Sequence, residues 1–112
     1  MLRFVSEAEL EAQRLRAALE HLDSRWIEER AIYCCERGNG WGRWSTVYYH
    51  LPSDTFCKLD FECCGVDLSG DRCVSAAVIS REEAMTIMDD RNKARLETRI
   101  KEQQKTPEAA RP

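Results

Sequence analysis

The stretch Ile32-Tyr33-Cys34-Cys35-Glu36-Arg37-Gly38-Asn39-Gly40-Trp41-Gly42-Arg43-Trp44-Ser45-Thr46-Val47-Tyr48-Tyr49 decides the fold. Aromatic and β-branched residues flank a glycine-rich break, and Asn39-Gly40 is the favoured pair for a two-residue type I′ hairpin. With that turn, paired positions sum to 79. Cys35 then faces Trp44, Tyr33 faces Thr46 and Ala31 faces Tyr48.

The next two turns test this register. A four-residue connection, Pro52–Thr55, makes paired positions sum to 107 and sets Tyr48 against Leu59 and Trp44 against Cys63. A turn at Ser69-Gly70 sets Phe61 against Val78 and Cys63 against Ala76. Side chains alternate between faces of a sheet. One face therefore collects Tyr33, Cys35, Trp44, Thr46, Tyr48, Cys57, Leu59, Phe61, Cys63, Ala76 and Val78. The other takes Arg30, Ile32, Cys34, Glu36, Arg43, Ser45, Val47, Tyr49, Lys58, Asp60, Glu62, Cys64, Cys73, Ser75, Ala77 and Ile79. Three separately chosen turns agree on the apolar face, which predicts a four-stranded antiparallel meander.

Helices flank it. Ser6-Glu7-Ala8-Glu9 is a capping box, and Ala8, Ala12, Leu15, Leu19, Leu22 and Trp26 form one apolar stripe, predicting a helix over 7–23. Ser80-Arg81-Glu82-Glu83 is a second capping box, followed by Ala84, Ile87 and Met88, then more sparsely by Leu96 and Ile100. No breaker intervenes before Thr106-Pro107. The expected fold is α+β, in the order α-β-β-β-β-α, with both helices packed on the apolar face of the sheet. One domain spans 1–105. Its last part, 91–105, is a basic arm projecting from the body, and 106–112 is a disordered tail.

Composition narrows the function classes. The chain has 112 residues, net charge −3 and six cysteines, a length that suits one domain. Mean hydropathy is −0.57, and no long uncharged apolar run is present to cross a membrane. The first residues lack the apolar segment of a secretory leader, so the expected compartment is the cytoplasm, where cysteines stay reduced.

The cysteine pattern, Cys34-Cys35, Cys57, Cys63-Cys64 and Cys73, contains no C-x-x-C pair. Doublets within strands point to opposite faces and cannot hold one ion without a bulge. Buried structural thiols are the expectation, with no cofactor. The alternative is a zinc or thiol-redox site built on Cys34, Cys64 and Cys73, which share the outer face in this register. His50 faces Cys57, the ingredients of an activated thiol, yet no third orienting group is evident. The glycine-rich turn lacks the Lys-Ser/Thr of a phosphate loop. No catalytic residues are assigned, and the expectation is a protein without enzymatic activity.

Charge is unevenly spread. Residues 91–105 hold six basic residues against two acidic ones, a balance of +4, which leaves −7 on residues 1–90 because Glu108 and Arg111 cancel. Arg91, Arg95 and Arg99 form a guanidinium stripe suited to phosphates or an acidic protein surface. Trp41, with Arg37 and Arg43, sits at the hairpin tip, a composition typical of binding hot spots. Ile32, Val47 and Tyr49 make an apolar strip on the outer face, the mark of a partner or homodimer contact. These residues predict a protein-binding function, as an inhibitor, adaptor or regulator. Bacterial immunity proteins and phage-encoded inhibitors of host defence, such as anti-CRISPR proteins, are similar in size and type. The alternative is an RNA- or DNA-binding accessory protein that uses the basic arm and the tip.

Overall fold

A computed structural model describes residues 5–63 and 71–109. In chain order the elements are α1 (Glu7–Glu20), α2 (Ser24–Arg30), β1 (Ile32–Gly38), β2 (Arg43–His50), a 3₁₀ turn (Leu51–Ser53), β3 (Thr55–Cys63), β4 (Asp71–Ile79), α3 (Arg81–Ile87) and α4 (Asp90–Ala109). The strands form one antiparallel sheet in the order β1-β2-β3-β4. The class and the meander are as the sequence predicts.

The layering differs. Tyr48, Cys57, Leu59 and Phe61 pack against Leu15, Ala18 and Leu19 of α1 and Ile27 of α2. Ile32, Val47, Tyr49 and Phe56 form a second core with Ala84 of α3, Met88 just after it, and Leu96 of α4. These two sets alternate along β2 and β3, so the helices cover opposite faces of the sheet. The expectation that both terminal helices share one face is corrected here. Its error was to treat Ile32, Val47, Tyr49 and Ile79 as a minor strip amid charge. Full burial of each such side chain is worth about 1.5–3 kcal/mol, enough to recruit a helical layer.

The first predicted helix, 7–23, is α1 with its C-terminal turn, and α2 follows as a helix the sequence reading lacked; the second predicted helix is two, α3 and α4. Ser6 caps α1 by accepting from Glu9 N, as the capping box requires. The helix ends in a Schellman motif: Asp23 N donates to Ala18 O and Leu22 N to Leu19 O, with Leu22 at φ +52°. Asp23 then caps α2 through Trp26 N. At the other end, Asp89 and Asn92 exchange side-chain bonds with each other's backbone N–H, starting α4 after Met88 leaves the helical conformation. Helix α4 continues through Thr106 and Pro107 to Ala109.

The register also shifts. Gly38 pairs with Trp44 and Tyr33 with Tyr48, while Cys35 lies opposite Val47. Tyr48 pairs with Cys57 and Trp44 with Phe61. Leu59 pairs with Ala76 and Cys57 with Val78. The shift is even along β2–β3, at Ile32 and Tyr33 of β1 and from Phe56 to Asp60 of β3–β4, which preserves faces, and odd from Cys35 to Gly38 and from Phe61 to Cys63. The exceptions are two bulges. One, between Tyr33 and Cys35, sends both Cys34 and Cys35 to the α3/α4 face. The other, between Asp60 and Phe61, moves Cys73 to the α1/α2 face. The turn at Ser69-Gly70 lies outside the described residues.

Candidate interaction surface

The hairpin tip is built by two glycines. Asn39 N donates to Arg43 O and Arg43 N to Gly40 O, both at 2.9 Å, enclosing a three-residue loop, Gly40-Trp41-Gly42. This replaces the expected two-residue turn, because Gly40 and Gly42, rather than Asn39, take positive φ, +109° and +57°. Gly42 is also pinned from the side. Cys63 N donates to its carbonyl at 2.7 Å, and a Cβ at position 42 would lie 3.3 Å from Cys63 Cβ.

This geometry leaves Trp41 fully exposed, at 101%. Arg37 and Arg43 are exposed beside it. Below the tip, Asn39 Nδ2 donates to Ser45 Oγ, and Ser45 Oγ donates to Asp60 Oδ1 at 2.5 Å. Ser75 Oγ donates to the other Asp60 oxygen. Burial alone would raise the Asp60 pKa. The two hydroxyl donors and the Lys58 charge outweigh it, and the carboxyl sits below its ordinary value. A carboxylate in the middle of a strand was the available signal for this tether, which the sequence reading left unused.

The other predicted contact residues divide into two groups. Ile32, Val47 and Tyr49 are core: Val47 is only 1% exposed, and all three lie beneath α3 and α4. The strip assigned to a partner or homodimer is covered by the chain's own helices. Arg91, Arg95 and Arg99 are exposed along α4, with a rise of about 6 Å between successive members. The arm does not simply project, however. Leu96 is buried and Ile100 partly buried in the second core, which docks this length of α4 beside β1.

The cysteine set fares differently. Cys34 belongs to the core under α3 and α4, and Cys73 packs on the opposite face. Their strands are the two edges of the sheet, about 14 Å apart across three strand spacings. Those two thiols cannot share an ion, and Cys64 lies outside the described residues. Burial pushes the Cys34 and Cys57 thiols up to about 12 and also raises Cys35. Such thiols are poor nucleophiles and poor ligands.

His50 pairs across the turn with Thr55, not Cys57, so the expected Cys-His juxtaposition is absent. It is fully buried, with Nδ1 2.7 Å from Ser53 Oγ and Nε2 3.5 Å from Glu11 Oε2. The second distance is too long for a good hydrogen bond. The Trp26 ring lies 6.0 Å away, centroid to centroid. His50 thereby joins α1, α2 and the 3₁₀ turn. Comparison with family models, curated proteins and solved structures gives no match to this chain.

Proposed function

We propose that this protein is a small non-enzymatic binding protein of the cytoplasm that docks on another protein through the β1–β2 hairpin tip. It would act there as an inhibitor, adaptor or regulator, the general type of immunity proteins and phage-encoded inhibitors of host defence. The observation that carries the reading is Trp41, exposed to its full extent on a loop held by two glycines and a backbone bond from Cys63. A rigidly presented tryptophan loses little conformational freedom on binding, and Arg37 and Arg43 beside it supply orientation. The test is affinity capture from the native host with wild type and Trp41→Ala. The expected result is a protein retained by wild type and lost by the variant. Equal capture by both would overturn the reading.

A second reading is supported by the exposed, evenly spaced Arg91, Arg95 and Arg99. These fit a nucleic-acid phosphate run. Binding to mixed nucleic acid that persists at about 0.2 M salt and disappears in the triple alanine variant would favour it over the first.

A further inference from the structure

The two edges of the sheet are unlike. β1 carries Glu36 and Arg37, is broken by its bulge, and has α4 docked beside it. Charge, bulges and helical cover are the devices that keep a sheet edge from pairing with another chain. β4 lacks them over most of its length. From Cys73 to Ile79 it reads Cys-Val-Ser-Ala-Ala-Val-Ile, with no charge, no proline and no glycine. No residue of β4 is buried, and Val78 is 54% exposed. Val74 is the residue left over by the β3–β4 bulge, and beyond it Ser75–Ile79 pair regularly with β3.

The backbone says what covers this edge. β4 has β3 as its one neighbour in the sheet, so among the described residues its outer row of N–H and C=O groups meets no strand. Only an extended segment returns bonds to every group in such a row.

We propose that β4 pairs antiparallel with β4 of a second copy of this chain, joining two four-stranded sheets into one of eight strands. The segment is complementary to itself. Outward-facing backbone groups come from alternate residues, so a strand paired with its own copy has the two-fold axis at a residue. Within the regular run that residue is Ala77. Ser75 then faces Ile79 of the second copy, Ala76 faces Val78, and Ala77 faces Ala77. Each pair sets a small side chain against a small or branched one, and no charge opposes a like charge. Just outside the run, Asp71 and Arg72 carry opposite signs, so the strand ends add no net repulsion. Five residues span about 17 Å. That is a small interface beside the ~1,000 Å² of a stable complex, so the dimer depends on concentration. Each copy has one such edge, and assembly closes at two.

The test is sedimentation of the whole protein from about 5 to 500 μM. The expected result is a reversible rise from 13.0 kDa to twice that mass. Ala77→Lys and Ala77→Glu, at an exposed position, should each keep the far-ultraviolet circular dichroism of wild type. Each should weaken self-association about tenfold or more, because like charges meet at the axis. An equimolar mixture of the two variants should dimerise again. Trp41→Ala, on the other hairpin, should dimerise as wild type does. A monomer throughout, a dimer indifferent to Ala77→Lys, growth beyond two copies, or a mixture that stays monomeric would each overturn the proposal. A monomer that loses a captured protein on Ala77→Lys would assign the edge to a foreign strand instead.

Discussion

His50 Nδ1 lies 2.7 Å from Ser53 Oγ, so the last residue of β2 is bonded to the turn that follows it. The imidazole is fully buried, and burial lowers its pKa below the ordinary 6.5, with Glu11 opposing the shift. A histidine with a depressed folded-state pKa takes up protons more readily in the unfolded chain. Its contribution to stability is therefore complete above about pH 6.5 and declines as pH falls from there toward the folded-state value. Urea midpoints measured between about pH 7.5 and 5.5 should drop for wild type and change less for His50→Gln. A wild-type midpoint that is flat across this window would contradict the assignment.

The arm can be dissected by substitution. Leu96→Ala removes a buried side chain and should cost about 2–5 kcal/mol, whereas Arg91→Ala, Arg95→Ala and Arg99→Ala should each stay within about 0.5 kcal/mol. Denaturant titration distinguishes a docked helix from a projecting one. A small effect of Leu96→Ala would mean that α4 is not anchored on β1.

Thiol labelling should follow burial. In the native protein, Cys63, which is exposed, should react with an aromatic disulfide reagent well before Cys34, Cys35 and Cys57. The three buried thiols should react only after unfolding, and mass spectrometry of labelled peptides assigns the order. Early modification of Cys34 would be incompatible with the second core.

The tether beneath the hairpin is a further target. Ser45→Ala deletes the hydroxyl that links Asn39 to Asp60 and should cost about 1–3 kcal/mol, because Asp60 loses a donor while partly buried. Trp41→Ala, three residues from Trp44, should leave the thermal midpoint within about a degree or two, since a fully exposed side chain contributes no packing. A large loss in the Trp41 variant would mean that the tip is structural.

Much of the fold was legible because strand faces depend only on parity. The assumed sums of 79 and 107 were both wrong, yet Trp44, Thr46, Tyr48, Cys57, Leu59 and Phe61 still fell on one face, because the β2–β3 pairs differ from the assumed register by an even count, whereas the first turn differs by an odd one that the β1 bulge offsets only at Ile32 and Tyr33. Two things were not legible. A bulge adds one residue without a sequence signal of its own, which displaced Cys35 and Cys73. The Asp23 and Asp89 caps were readable in principle, but apolar spacing continues across both breaks and concealed them. At the candidate site, exposure of Trp41, Arg37 and Arg43 followed from composition. Tyr33, Trp44, Tyr48 and Phe61 read as one apolar face, and they lie in or against the α1/α2 core.

The bulge at Cys34 gives β1 two phases. Residues before it and after it are keyed to the sheet by different counts, so the strand behaves as two rigid halves joined at one inserted position. Loops in this protein can exchange residues in pairs without disturbing which helix each strand side meets. Deleting Cys34 alone would leave Tyr33 against Tyr48 and Cys35 against Val47, an uninterrupted ladder with Ile32 and Tyr33 still on their present faces. Position 34 is thus the one place where β1 can lose a single residue without turning either half over.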